Sequence, residues 1–290
     1  MQTPCQMKLI GLFATILVIS ACGVVTNPTT PSDPASTNAM VYAAVGASDA
    51  NGVGSSAPCL PYVSCPDGKG YVQVIARRYT AAGKTVTLQN LGVPGAALSK
   101  TFQDIGNQVN RGIAINFLSD EMPFIRTDAT LVTVFAGGND ANAVASAAKA
   151  GLGGADPTHW INAQIAAFGR DMTALVAGIK ARAPKARIII LNLPNLAAMP
   201  YASGDSLSDK RGLQTIAVGM NTHINTLVSQ GATVVDMMCD SRLYSASIFS
   251  SDGFHPNDAG YALFADLVVA AAATTSSTAP KSTCAFMSAY

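Results

Sequence analysis

The amino-acid sequence predicts an α/β protein, a three-layer α/β/α sandwich around a central parallel five-stranded sheet. Two observations lead to this prediction. From about residue 40 onward, short apolar runs alternate with segments whose apolar residues recur at helical spacing. Each apolar run is also followed by loop-forming residues. Such alternation, sustained along the chain, indicates parallel strands joined by right-handed helical crossovers that cover both faces of the sheet.

The five predicted strands are short runs rich in apolar and β-branched residues, as expected for strands that are buried on both faces. They cover residues 41–45, 85–88, 131–135, 187–191 and 233–235. In such a sheet, ligands bind beyond the carboxyl ends of the strands. We therefore expect the functional residues in the loops that follow the strands.

The predicted helices are recognised by apolar residues three and four positions apart, which form one face of a helix. Three such sets are Val72, Ile75, Ala76 and Tyr79; Phe168, Met172, Leu175, Val176 and Ile179; and Leu213, Ile216, Ala217, Met220, Ile224 and Leu227. A further helix is predicted after residue 257. The sets lie between the predicted strands, where crossover helices are expected.

Composition limits both the size and the partners of the protein. The chain has 290 residues, of which 49% are hydrophobic, and this suffices for one large core. Only 12% of residues are charged and the formal net charge is +1. Nucleic-acid binding requires a basic surface, so the composition argues against a nucleic-acid partner.

The N-terminal residues 1–21 are predicted to be a signal peptide. Lys8 precedes an apolar run over residues 9–21, which is too short to span a bilayer comfortably. The run ends in Ile19-Ser20-Ala21-Cys22, which resembles a bacterial lipobox, in which the cysteine is lipidated after cleavage. The alternative is an ordinary cleavage site that happens to precede a cysteine.

A polar, proline-rich segment follows Cys22 and is predicted to be a flexible tether over residues 22–39. Residues 40–290 then form a single domain. Lipidation of Cys22 implies an extracytoplasmic protein anchored to a bacterial membrane. Gly23, rather than aspartate, follows Cys22 and resembles an outer-membrane address in a cell with two membranes.

The remaining cysteines fit an oxidising compartment. With Cys5 in the signal peptide and Cys22 lipidated, an even number is left, for which three pairings are possible. We favour Cys59 with Cys65, which closes a small loop, and Cys239 with Cys284, which attaches the C-terminal tail. The spacing lacks a Cys-x-x-Cys motif or a nearby histidine pair, so a zinc site is not predicted.

Four loops carry residues that could take part in catalysis. Ser48 follows the first strand, Gly95 lies after the second, and Asn139 follows the third in Gly-Gly-Asn-Asp. Near the end of the domain, Asp252 and His255 stand three residues apart. A histidine can act as general base for a serine when a carboxylate orients its ring. Asp140, the residue after Asn139, is assigned to loop structure. Its carboxylate would oppose a negative charge that develops beside Asn139 during a reaction.

This ordered set resembles the SGNH, or GDSL-type, hydrolases, over about residues 40–272. The resemblance implies a flavodoxin-like SGNH fold and assigns the roles residue by residue. Ser48 matches the nucleophile. The backbone amides of Ser48 and Gly95 and the side chain of Asn139 match the oxyanion hole, and Asp252 and His255 match the acid and base.

The segment that contains Ser48 departs from the Gly-Asp-Ser motif that is usual in this family. Here it reads Gly46-Ala47-Ser48, and an acid comes only afterwards, at Asp49. The nucleophile is retained, but the hydrogen bonding that steadies its turn must differ.

The resemblance implies a serine esterase or lipase that hydrolyses an acyl or acetyl ester of a small molecule, a glycan or a lipid. The chemistry requires no metal and no organic cofactor. Two alternatives remain open: an acyltransferase that uses the same residues, and a non-catalytic surface-binding lipoprotein. The sequence identifies neither the substrate nor the oligomeric state.

Overall fold

Five parallel strands form the centre of the structure, a computed structural model that describes residues 38–274 and 279–290. The strands are β1 (Ala39–Gly46), β2 (Thr85–Asn90), β3 (Leu131–Phe135), β4 (Arg187–Leu191) and β5 (Thr233–Val235). Their order across the sheet is β2-β1-β3-β4-β5, and every neighbouring pair is parallel. The predicted five-stranded parallel sheet is confirmed.

Helices cover both faces of this sheet. They are α1 (Tyr71–Ala81), α2 (Lys100–Gln108), α3 (Phe117–Asp120), α4 (Gly138–Lys149), α5 (Pro157–Arg182), α6 (Leu207–Thr226) and α7 (Asp258–Ala273). Side chains of β1 alternate between two cores, as the period of a strand requires. Ala43 and Val45 belong to the core beneath α2, α4, α5 and α6, while Tyr42 and Ala44 belong to the core beneath α1 and α7. The three-layer prediction is therefore confirmed.

Two strands are longer than their apolar runs predict. β1 begins at Ala39, which pairs with Thr85, and β2 continues to Asn90, which pairs with Ala44. Ala39, the last residue of the predicted tether, therefore belongs to the sheet. Backbone pairing extends a strand beyond its buried residues, because polar side chains are tolerated where the strand emerges from the core.

The predicted signal peptide, Cys22 and the tether up to residue 37 lie outside the described residues. Within the described ranges, no helix combines the length and the apolar character needed to cross a membrane.

Both predicted disulfides are present, Cys59–Cys65 and Cys239–Cys284. The second bond attaches the C-terminal segment 279–290 to the loop after β5. The ring of Phe286 stacks on Tyr244 at a centroid distance of 3.8 Å, and the Phe286 carbonyl accepts a hydrogen bond from Asn195 Nδ2. The tail is thus packed onto the domain by covalent, aromatic and polar contacts.

Candidate active site

The predicted functional residues lie at the carboxyl edge of the sheet, in loops that follow β1, β2 and β3 and in the turn before α7. Ser48 begins a short 3-10 turn, Ser48–Asn51, directly after β1. The turn is closed by hydrogen bonds from the Ala50 amide to the Ala47 carbonyl and from the Val53 amide to the Ser48 carbonyl, both 3.1 Å. This turn holds Ser48 just beyond the strand, where its side chain is buried but lines a cavity.

Two asparagines fix this serine turn to the loop after β2. Asn51 Nδ2 donates to the Gly92 carbonyl at 2.6 Å, and Asn90 Nδ2 donates to the Ala50 carbonyl at 2.7 Å. Neither contact was predicted, because the residues that neighbour an asparagine in the sequence do not indicate which carbonyl its side chain will contact.

Ser48, His255 and Asp252 form one chain of hydrogen bonds. His255 Nε2 lies 2.9 Å from Ser48 Oγ, and His255 Nδ1 lies 2.6 Å from Asp252 Oδ2. With Asp252 ionised, Nδ1 must carry the proton between ring and carboxylate, so the lone pair of Nε2 faces the serine hydroxyl. In this geometry, His255 Nε2 could accept the proton of the serine hydroxyl, and Asp252 holds the histidine ring in place.

The turn before α7 is organised around the second oxygen of Asp252. Asp252 Oδ1 accepts hydrogen bonds from Ser250 Oγ at 2.8 Å and from the Phe254 and His255 amides, both at 2.9 Å. Partial burial raises the pKa of Asp252, but the bonds from His255, Phe254 and Ser250 outweigh it and lower the pKa to about 2. The carboxylate is therefore ionised at every pH at which the protein is expected to work.

Asn139 lies in the first turn of α4 and is tied to the loop after β2. Its Nδ2 donates to the Ala96 carbonyl at 2.9 Å. A side-chain amide carries two N–H donors, so the second remains for a ligand. Asn139 and Ser48 line the same cavity.

Gly95 occupies a tight turn that a glycine is needed to form. The Ala96 amide donates to the Val93 carbonyl at 3.0 Å, with Pro94 and Gly95 at the centre of the turn. Gly95 has a φ of 83°, which is the type II position that favours glycine. Its neighbour Ala96, rather than Gly95 itself, lines the cavity beside Ser48.

The cavity beside Ser48 is narrow and mostly apolar, with a free volume of about 40 Å³. Its polar side chains are Ser48, Asp49 and Asn139. The apolar walls come from both cores and from the loops after β4 and β5: Ala47, Ala96, Phe117, Phe135, Leu193, Pro194, Leu196, Met199, Leu243, Phe249, Phe254, Pro256 and Phe264. Such a slot suits the hydrocarbon part of a ligand.

Asp140 lies beside Asn139 in the first turn of α4, so it belongs to a helix and not to the predicted loop. It is almost completely buried, and its Oδ1 accepts from the Leu98 amide at 2.8 Å. Burial raises the pKa of Asp140 to about 7, although the amides of Leu98, Asp140 and Gly137 favour the ionised form. This buried carboxyl connects the loop after β2 to the start of α4.

The raised pKa gives Asp140 a measurable effect on stability. The ordinary aspartate pKa is about 3.9, so the folded protein holds an extra proton between about pH 4 and about pH 7. Asp140 therefore makes wild-type stability fall as pH rises through that range, by up to about 1.4 kcal/mol per pH unit. Asp140→Asn keeps an acceptor for Leu98 but does not titrate. We expect the stability of this variant relative to wild type to rise between about pH 4 and about pH 7, measured by urea unfolding. A pH-independent difference would contradict the assignment.

Among the described residues, no three histidine, cysteine, aspartate or glutamate side chains are grouped so that they could hold a metal ion.

The model of the GDSL-like lipase/acylhydrolase family matches residues 44–263, a range that contains Ser48, Gly95, Asn139, Asp252 and His255. No curated protein matches the sequence. Among solved structures, the chain is similar to an extracellular lipase from Streptomyces rimosus, with 18% identity and a TM-score of 0.55. That match covers 80% of this chain and 99% of the lipase.

Two further structures show the same fold. The lipase Lip_vut3 from a goat rumen metagenome has 18% identity and a TM-score of 0.54, over 80% of this chain and 97% of its own. Phospholipase A1 from Streptomyces albidoflavus has 16% identity and a TM-score of 0.50, over 80% and 98%. Because the family model spans well over half of the chain, this protein belongs to the GDSL-like lipase/acylhydrolase family.

Proposed function

We propose that the protein is a serine esterase that hydrolyses acyl or acetyl esters of carboxylic acids, on a small molecule, a glycan or a lipid. The observation that carries this proposal is the continuous chain of hydrogen bonds from Ser48 Oγ through His255 to Asp252. A serine hydroxyl becomes a useful nucleophile only when a base accepts its proton, and His255 Nε2 is placed to do so.

In the first half of the proposed reaction, His255 takes the proton of Ser48 as Oγ forms a bond to the ester carbonyl carbon. The imidazolium is stabilised by Asp252. When the tetrahedral intermediate collapses, the bond to the alcohol oxygen breaks and His255 gives its proton to the departing alcohol. In the second half, His255 takes a proton from water as the water oxygen forms a bond to the acyl carbon. The bond between Ser48 Oγ and the acyl carbon then breaks, His255 returns the proton to Oγ, and the acid is released.

The negative charge on the carbonyl oxygen is proposed to meet the amides of Ser48 and Gly95 and the free N–H of Asn139. Donors fixed in advance stabilise such a charge without reorganising during the reaction. The hydrogen bond from Asn139 to Ala96 holds the side-chain amide in one orientation and connects it to the turn that presents Gly95.

Asn139→Ala is expected to lower kcat by about 10² to 10³-fold, since one oxyanion donor contributes about 2.7 to 4 kcal/mol. The KM should change little, because the donor acts on charge that develops in the transition state. Steady-state kinetics with a nitrophenyl ester measure the effect. Asn142→Ala is the matched control, as Asn142 lies one helical turn further along α4 and bonds to Tyr201. Unchanged turnover in Asn139→Ala would remove this residue from the mechanism.

The proposal as a whole is tested with nitrophenyl esters from acetyl to palmitoyl. Nitrophenol release by the wild-type protein, with acid appearing in equal amounts, supports hydrolysis. Release that depends on an added alcohol, with formation of a new ester, would instead indicate acyl transfer. No release with any ester would contradict both.

We also propose, from the sequence motif, that lipid on Cys22 anchors the enzyme outside the cytoplasm. Cys22→Ser should then abolish labelling by a fatty-acid analogue and release the protein from the membrane fraction. Labelling that persists in this variant would contradict the anchor.

A further inference from the structure

Glu121 is a fully buried acid that no part of the proposed mechanism uses. It follows the short helix α3, and its amide donates to the Phe117 carbonyl at 3.3 Å. Phe117, which begins this helix, is almost fully buried. Its amide donates to the Ala97 carbonyl at 2.9 Å. The backbone around Glu121 is therefore fixed to the loop that follows β2.

The carboxyl of Glu121 lies where the serine segment meets the Gly95 turn. Its Oε2 accepts a hydrogen bond from the Gly46 amide at 2.9 Å. The Gly46 carbonyl in turn accepts from the Val93 amide at 3.3 Å. Gly46 precedes Ser48 by two residues, and Val93 begins the turn that contains Gly95. Both polar groups of Gly46 are thus held, one by Glu121 and the other by the Gly95 turn.

The buried carboxyl of Glu121 does not stabilise the core. Among the described residues, Glu121 Oε1 has no hydrogen-bond partner. Burial raises the pKa of Glu121 well above its ordinary value, although the hydrogen bond from the Gly46 amide favours the ionised form. A buried carboxyl with one unpaired oxygen opposes folding, so a packed apolar side chain would serve the core better.

We propose that Glu121 is a positioning residue, whose buried carboxyl fixes the Gly46 amide and so sets the distance between Ser48 and the Gly95 turn. The inference rests on the function proposed above, in which both segments contact the same reacting carbonyl. It also accounts for Gly46-Ala47-Ser48, where the residue before the serine has no polar side chain to steady the turn. The steadying acid comes instead from Glu121, far along the chain.

The test compares Glu121→Gln with Glu121→Met in the full-length protein. Glutamine retains an oxygen that can accept from Gly46, whereas methionine has a similar size but no such acceptor. Displacement of reacting groups by about 1 Å costs about 10²-fold in rate. We expect Glu121→Met to lower kcat by about 10 to 100-fold with little change in KM, and Glu121→Gln to remain within about fivefold of wild type.

Leu175→Ala is the control for a loss of stability alone, because Leu175 is fully buried in α5 and does not line the cavity. It should lower the thermal midpoint and leave kcat unchanged. A parallel loss of kcat in Leu175→Ala, an unchanged kcat in Glu121→Met, or an equal loss in Glu121→Gln and Glu121→Met would each overturn the positioning role.

Hydrogen exchange separates failure of this inference from failure of the proposed function. Glu121→Met should speed exchange in peptides spanning residues 44–48 and 93–98, whereas Glu121→Gln should not. If the wild-type protein hydrolyses no ester, the proposed function fails, and this exchange comparison still decides whether Glu121 fixes Gly46. Equal exchange in the two variants would overturn the inference.

Discussion

Ser48→Ala is expected to reduce ester hydrolysis by about 10⁴ to 10⁶-fold while leaving the fold intact. The change removes the oxygen that would attack the ester, and no other described residue is placed to replace it within reach of His255 Nε2. The side chain of Ser48 makes one hydrogen bond, to His255, so its loss should change the thermal midpoint little. Activity and stability are thus predicted to separate at this position.

The measurement is nitrophenyl ester hydrolysis by wild type and Ser48→Ala, with covalent labelling by a fluorophosphonate as a second readout. Ser247→Ala is the matched control, because Ser247 is an exposed serine in a loop at the same edge of the domain and bonds only to Ser245 through its hydroxyl. It should keep full activity. Hydrolysis or labelling that survives in Ser48→Ala would mean that another residue is the nucleophile.

The fold was predictable because its main signals are local. Each strand core is a short apolar run, and β3, β4 and β5 have the bounds that the pattern predicts. The helix α4 was not predicted, because the apolar residues that it buries are mostly alanines, which mark a core-facing side less clearly than large apolar residues do. The ends of β1 and β2 also differ from prediction, since backbone pairing, which local composition does not encode, decides where a strand stops.

The candidate site was predictable only in part, because some of its residues stand in local motifs and others are brought there by packing. Ser48, Asn139, Asp252 and His255 stand in short motifs at the ends of elements, and the structure brings them together around one cavity or one hydrogen-bond chain. Glu121 is different, because it stands in no motif. Its contact with Gly46 is created by the packing of α3, and a pattern of neighbouring residues cannot reveal it.

Asp252→Asn is expected to lower kcat by about 10⁴-fold, and it is the sharpest test of how His255 works. Asparagine has the shape of aspartate, so its oxygen can keep the three bonds from Ser250, Phe254 and His255 that Oδ1 accepts now. The turn should therefore survive. Only the atom that faces His255 Nδ1 changes, from an acceptor to a donor.

That single change should switch the tautomer of His255. A donor opposite Nδ1 requires Nδ1 to accept, which moves the imidazole proton to Nε2 and points it at Ser48. The serine then faces a donor in place of a base, and the cation formed during attack also loses its counter-charge. Asp258→Asn is the control, since this acid of α7 bonds to Ser56 and does not contact His255. A kcat of Asp252→Asn within about tenfold of wild type would contradict this role, because an imidazole with its proton on Nε2 could not sustain that rate. It would mean that the backbone of the turn is enough to orient His255 without the carboxylate.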